Sequence, residues 1–313
     1  MTTILQLCPF SDSLEAALAR RGTVIRWHEL DDALRSAWLA EHASDVRVVA
    51  TGGHIGCPTS LMTRLPKLAL VAINGVGYDR VDLEVARHHG VAVTTTPDVL
   101  TDDVADLAIG LIIALLRDLP RADRFVREGA WLAGNLPLGR RVSGRRFGIV
   151  GLGRIGKAIA DRLAAFGPVA YSGTTAKPVP YAFHADAASL ARDSDVLIVA
   201  CAASPATQGL IDAAVLDALG PDGYLINVAR GSVVDEVALS QALAEGRIAG
   251  AALDVYADEP RVTEALITSA RTVLAPHIAS ATVETRSAMA DLVIANIDAL
   301  IAGQPLPTPV VAP

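Results

Sequence analysis

Arg230, Glu259 and His277 each stand just past a short apolar run: LINVA before the arginine, a run ending in DVY before the glutamate, and TVLAP before the histidine. Such runs read as parallel strands, and side chains beyond the carboxyl ends of parallel strands converge on a ligand crevice. A fixed cation, an acid and an imidazole can together clamp a carboxylate, protonate a carbonyl oxygen and keep the proton donor charged. Hydride transfer to a 2-oxo acid needs those three services. Taken singly, each residue has a plainer reading. Arg230-Gly231 can be a strand-end turn, Asp258-Glu259-Pro260 a helix start, and His277 a satisfied loop histidine. Their order, at strand ends and behind a dinucleotide motif, argues against coincidence.

That motif is Gly151, Gly153 and Gly156, a G-x-G-x-x-G that includes Arg154 and Ile155. It lies between the apolar run FGIV and the helical pattern RIGKAIADRLAAFG. The first glycine permits a tight turn, the second lets a pyrophosphate approach the backbone, and the third lets helix and strand pack closely. FAD is the rival ligand, but FAD folds place this motif near the start of the chain, and here it sits near the middle. NAD-specific folds carry an acid roughly 20 residues further on, which binds the ribose and repels a 2′-phosphate. Here VAY is followed by Ser172-Gly173-Thr174-Thr175-Ala176-Lys177, without an acid. Hydroxyls at Ser172, Thr174 and Thr175 and a mobile charge at Lys177 lead us to expect a preference for NADP(H), with NAD(H) possible. Lysine lacks the arginine fork, and the alternative is a polar surface turn that tolerates either cofactor.

The elements that must position these groups are legible as two series. Runs at 46–50, 68–73 and 91–94 alternate with Ala/Leu/Arg segments of helical periodicity, which indicates βα units and a parallel sheet. A stronger series begins near Arg146 with FGIVGLGRIG and continues through VAY (169–171), DVLIVA (195–200), YLINVA (224–229), GAALDVY (250–256) and TVLAP (272–276). Continuous apolar strands of this kind are covered on both faces. The predicted fold is α/β, with two Rossmann-like or flavodoxin-like parallel-sheet domains and an active-site cleft between them. Residues 98–282 form the dinucleotide-binding domain, and 1–97 with 283–313 a discontinuous substrate domain. A long helix begun by Pro97 and the polar group Thr101, Asp102 and Asp103 continues through DLAIGLIIALLR. It is apolar on nearly all sides, so burial between domains or subunits is expected. A final helix at about 284–301 is expected to pack back on the first domain, before a Pro-rich tail that cannot continue it.

The 313 residues, 51% hydrophobic and 19% charged, suffice for two cores. A net charge of -7 argues against a nucleic-acid surface. Cys8, Cys57 and Cys201 are widely spaced and lack the close Cys/His pairs of a zinc site, so reduced, mostly buried thiols and no metal are expected. The longest apolar run, 107–116, is far shorter than the roughly 20 residues of a membrane span. MTTILQLCPF shows neither a basic leader nor a small-residue cleavage site. A cytoplasmic protein with no membrane partner is the expectation.

NVARGSVVDEVAL, GAALDVYADEP and PHIASAT resemble, in order, the three signature segments of the D-isomer-specific 2-hydroxyacid dehydrogenases. The resemblance covers nearly the whole chain. INGVGYDRVDL (73–83) and TPDVLTDDVADLAIGL (96–111) are similar to its glyoxylate/hydroxypyruvate and hydroxyphenylpyruvate reductase branch. It implies NAD(P)H-dependent reduction of a small 2-oxo acid, glyoxylate or hydroxypyruvate, to the D-2-hydroxy acid, with a bulkier acid such as hydroxyphenylpyruvate as the alternative. In that scheme Arg230 grips carboxylate and carbonyl, His277 donates the proton and Glu259 pairs with His277. The resemblance further implies substrate contacts from Val76, Gly77 and Ser280, and cofactor contacts from Ala202, Pro205, Thr207, Val228, Arg230, Asp254 and Ala279. A plain turn at Val76-Gly77 and a helix cap at Asp254 are the rival readings. His277-Ile278-Ala279-Ser280 stands where the family reads HIGG or HIGS, which adds a methyl at Ala279. His54 and Trp131 are further pocket candidates, against an exposed loop histidine and a core or interface tryptophan. A homodimer that buries the helix 104–116 is also implied. A reading of another class is a non-enzymatic, dinucleotide-sensing corepressor-like protein, against which the intact Arg, Glu and His count.

Overall fold

The computed structural model describes residues 2–311. It contains two compact units: one runs from the N-terminus to Leu100 and resumes at Thr282, and the other spans Thr101–Ala281. Strands β1 (Thr2–Gln6), β2 (Gly22–Arg26), β3 (Val46–Gly52), β4 (Leu70–Asn74) and β5 (Ala92–Thr94) belong to the first unit. The second holds β6 (Phe147–Val150), β7 (Val169–Ser172), β8 (Ala182–His184), β9 (Val196–Val199), β10 (Tyr224–Asn227), β11 (Gly250–Leu253) and β12 (Thr272–Leu274). Finally β13 (Pro309–Val311) returns to the first.

The first sheet has the order β13-β5-β4-β3-β1-β2, parallel except for the antiparallel edge strand β13. Five strands in the order 2-1-3-4-5 form the flavodoxin-like arrangement. The second sheet, β12-β11-β10-β9-β6-β7-β8, is parallel throughout. Read from β8, its order is the 3-2-1-4-5-6 of dinucleotide folds with one added strand. Strand order reverses between β6 and β9, which brings the loops after these strands to the crevice where such sheets take ligands. Phe147 to Val150, Val196 to Val199 and Tyr224 to Asn227 are buried at every position, as two-sided coverage by helices requires.

Within the single chain the helix Thr101–Leu116 buries one face. Val104, Ala105, Ala108, Leu111, Ile112 and Leu116 are buried, and they form one stripe at helical spacing. That stripe packs within the second unit, against the helix Arg154–Leu163 and the strands β10 to β12. Leu107, Ile109 and Ile113 stay partly exposed, and Asp102 and Asp106 reach Arg162 at 2.9 and 2.6 Å. The last helix, Val283–Ala302, packs on β4 and on the helix Asp12–Ala19 in the first unit. Arg21 bonds Asp298 with two nitrogens, at 2.5 and 2.6 Å.

Candidate active site

The glycine loop leaves β6 with each glycine in a different steric situation. Gly151 has φ +94°, and a Cβ there would collide with Cys201. A Cβ on Gly156 would strike the carbonyl oxygen of Gly151, so the helix Arg154–Leu163 approaches the loop only because that side chain is missing. Gly153, the N-cap of this helix, has nothing within 4 Å of its would-be Cβ. Its N-cap is a glycine, so no N-cap side chain covers the start of the helix. A helix N-terminus that begins at a residue without a side chain, with nothing within 4 Å of where one would stand, fits the approach of a pyrophosphate, and the residues present fit a dinucleotide.

The loop after β7 is anchored rather than mobile. Ser172 is buried, and its carbonyl accepts the Gly151 N–H at 2.9 Å. Gly173, Thr174 and Thr175 are exposed. Lys177 donates its backbone N–H to the Tyr171 hydroxyl at 2.6 Å and its ammonium to the carbonyl of Leu152. The expected mobile charge is therefore corrected: a backbone acceptor in the glycine loop holds it. Tyr181 adds a bond to Asp161 at 2.7 Å. After β9, Thr207 bonds the carbonyl of Ala202 at 2.8 Å across the 3-10 turn Pro205–Thr207. Burial pushes the Cys201 thiol up to about 11, so it stays protonated.

The three charged candidates meet through the backbone beyond β10, β11 and β12. Asn227, buried at the end of β10, donates to the Arg230 carbonyl and accepts the Ala229 N–H, both at 3.0 Å. This fixes the turn that carries Arg230, whose Nη1 bonds the Ala229 carbonyl at 2.8 Å. A Cβ on Gly231 would overlap the Tyr256–Ala257 peptide, so only glycine lets the arginine segment lie against the exit of β11. Tyr256 donates its hydroxyl to Ala275 at 2.9 Å, which ties β11 to the segment after β12. Burial pushes that phenol up to about 12.

Glu259 uses both oxygens. Oε1 accepts the Tyr256 N–H at 3.0 Å, and Oε2 lies 2.7 Å from His277 Nδ1. An ionised carboxylate only accepts, so Nδ1 carries a hydrogen and any proton exchanged with a ligand leaves from Nε2. The His277 side chain is 32% exposed, enough for its outer edge to be reached.

His277 itself sits at φ +53°, a left-handed conformation that costs a non-glycine residue roughly 1–2 kcal/mol. Asp254, fully buried, holds it there. Its two oxygens accept the N–H groups of Ile278 and Ala279 at 2.8 and 2.9 Å, and its carbonyl accepts the His277 N–H at 2.9 Å. Burial pushes the Asp254 carboxyl above its ordinary range, opposed by the two amides. Asp254 thus caps the histidine turn and no helix, which removes the helix-cap reading. Sequence reasoning missed Asn227 and Tyr256 altogether, and their one signal was a polar group ending an apolar strand.

The remaining candidates lie elsewhere. Val76 and Gly77 follow β4 in the first unit, partly buried, and the neighbouring Gly75 carbonyl accepts the Thr96 N–H at 2.8 Å. His54 is exposed in the loop after β3. Trp131 is 65% exposed in the 3-10 turn Ala130–Ala133, beside Leu132 at 96%, so it is not a core tryptophan. Val228 and Ala279 are buried and Ser280 is partly exposed in the second unit. Among the described residues no group of His, Cys, Asp and Glu is placed to hold a metal ion, and no helix is long and apolar enough to cross a membrane.

Residues 109–279 match the family described as D-isomer specific 2-hydroxyacid dehydrogenase, NAD binding domain. The hydroxyphenylpyruvate reductase of Plectranthus scutellarioides and glyoxylate/hydroxypyruvate reductase A of Arabidopsis thaliana are each 47% identical over 310 residues, covering 98% of this chain and 98% of the relative. A crystal structure of the NADPH-dependent glyoxylate/hydroxypyruvate reductase of Sinorhizobium meliloti, in complex with NADP and malonate, superposes with a TM-score of 0.93 at 42% identity. The alignment covers 99% of this chain and 97% of that one.

Proposed function

Because this chain belongs to the D-isomer specific 2-hydroxyacid dehydrogenases, we propose that it reduces a small 2-oxo acid, glyoxylate or hydroxypyruvate, to the D-2-hydroxy acid, and that it prefers NADPH. The observation that carries the reading is the Glu259–His277 pair, oriented so that Nε2 delivers the proton. In this reading Arg230 presents a planar cation to the substrate's carboxylate and carbonyl, and Glu259 holds the Nδ1 side of the imidazole and so fixes its orientation. Asp254 keeps the His277 turn in register. Ser280, three residues past His277, borders the substrate. The reduced nicotinamide, when bound, supplies the hydride equivalent. Its pyrophosphate would lie on the glycine loop, with Ala202, Pro205, Thr207, Val228 and Ala279 along its path.

The preference for NADPH rests on the absence of an acid across 172–177 and on the exposed hydroxyls of Thr174 and Thr175. We assign a homodimer on the partly exposed Ile109 and Ile113 and on the projecting Trp131 and Leu132. A cytoplasmic setting suits Cys8, Cys57 and Cys201, all free thiols.

The test follows the absorbance of reduced nicotinamide with glyoxylate, hydroxypyruvate and hydroxyphenylpyruvate, each with NADPH and NADH. Fastest oxidation with the small acids and NADPH is expected. Faster turnover of hydroxyphenylpyruvate would transfer the assignment to the bulkier substrate, and no oxidation with any acid would refute it.

A further inference from the structure

Glu236 takes no part in the reaction described above, yet its carboxylate is committed across the fold. It is the first residue of the helix Glu236–Glu245, where an acidic side chain ordinarily serves the helix's own amides. Those amides are already served, because the N-cap Asp235 accepts the N–H groups of Val237 and Ala238, both at 3.0 Å. Glu236 instead accepts the N–H of Ala257, 21 positions along the chain, at 2.6 Å.

The two peptides on either side of the Tyr256 Cα are thereby held by three contacts. The Tyr256 N–H goes to Glu259, the Ala257 N–H goes to Glu236, and Gly231 lies against the Tyr256–Ala257 peptide bond. Gly231 follows Arg230, and Glu259 pairs with His277. Two successive peptide planes, joined at the Tyr256 Cα, therefore link the anion clamp to the proton donor. We infer that Glu236 is a positioning residue which, by fixing the Ala257 amide, sets the aim of Glu259 on His277 relative to Arg230.

The arrangement has a cost that an incidental surface contact would not carry. Burial raises the Glu236 carboxyl above its ordinary range, against the opposing amide of Ala257, and the nearby negative charges of Glu259 and Asp258 raise it further. Two acids of the turn stand near a third on the helix, so the bond to Ala257 has to offset their repulsion.

The inference rests on the proposed reduction, so its test has one arm that needs no substrate. Amide hydrogen exchange at Ala257 is compared in the wild-type protein, Glu236→Ala and Glu236→Gln. Glutamine keeps a carbonyl acceptor at the same reach and discards the charge. Exchange is expected to accelerate tenfold or more in Glu236→Ala and to return most of the way in Glu236→Gln. In steady-state assays Glu236→Ala should lower kcat about ten- to a hundredfold, the scale of a misplaced reacting group. NADPH affinity should stay within about twofold, the substrate KM should change little, and Glu236→Gln should recover most of the turnover. Unchanged Ala257 exchange in Glu236→Ala would overturn the inference, as would an equal kcat loss in both variants. If the wild-type protein reduces no 2-oxo acid, the proposed reaction fails while the exchange arm still decides whether Glu236 holds the turn. Accelerated exchange with kcat within twofold of wild type would also overturn the positioning role.

Discussion

The ammonium of Lys177 donates to the carbonyl oxygen of Leu152, which joins the loop after β7 to the glycine loop after β6. The lysine is thus a strap between the two segments that would flank an adenosine ribose and a pyrophosphate, and only secondarily a charge for a phosphate. Lys177→Met is expected to weaken NADPH and NADH by a similar factor of about three- to tenfold, on the scale of one lost hydrogen bond of about 1 kcal/mol. Fluorescence titration of each cofactor measures this. A loss confined to NADPH would assign the ammonium to the 2′-phosphate instead.

Ser172 ends β7 with its side chain buried and its carbonyl bound to Gly151. Ser172→Asp places a carboxylate where NAD-specific folds keep one, and repulsion of a 2′-phosphate should shift the NADPH to NADH ratio of kcat/KM toward NADH by at least about tenfold. The buried position adds a stability cost without cofactor, read as a lower Tm of the apoprotein. An unchanged ratio would place the discriminating contact elsewhere on the loop.

With the Nδ1 hydrogen directed at Glu259, only Nε2 of His277 is left to protonate a substrate. His277→Gln should reduce kcat by roughly 10²–10⁴-fold while leaving the Kd for NADPH within about threefold. Turnover within tenfold of wild type would remove His277 from the proton-transfer role.

Asp254→Asn tests the turn beneath that histidine. An asparagine offers one oxygen where the carboxylate offers two, so one of the bonds to Ile278 and Ala279 is lost, and kcat should fall even though no reacting group has changed. The pH dependence has a definite sign. Burial raises the folded-state pKa of Asp254 above the unfolded value of about 3.9. The folded state therefore binds more protons in that interval, and the contribution of Asp254 to stability is fully present below the unfolded pKa and is lost as pH rises through the folded one. The stability margin of the wild-type protein over Asp254→Asn should be largest in acid and shrink as the pH rises above about 4, measured as the difference in Tm. A margin that widens with pH would show the carboxylate to be stabilised by its amides beyond its burial.

Much of this molecule is readable from residues whose type is dictated by contact. FGIVGLGRIG is legible because a side chain at Gly151 or Gly156 has nowhere to go, and β9 and β10 are legible because two-sided burial demands unbroken apolar runs. By contrast β1 (TTILQ), the exposed edge strand β8 and the proline-led β13 carry no such pattern and give no clear strand signal. In the helix Thr101–Leu116 composition marks an apolar element, but it does not say which of its apolar residues are buried within the chain. Bonds such as Lys177 to Leu152 and Glu236 to Ala257 depend on the paths of two loops, and sequence spacing holds no record of them.

The first unit is interrupted, leaving at Leu100 and returning at Thr282, and this orders the events of synthesis. The uninterrupted second unit can close as soon as Ala281 has emerged from the ribosome, since every strand of its sheet is then available. The first unit must wait with one face of β4 uncovered until the helix Val283–Ala302 has been made, and the bonds from Arg21 to Asp298 span 277 positions. A nascent chain halted just after the second unit would therefore combine a finished second sheet with an uncovered apolar face in the first, a surface of the kind that promotes aggregation.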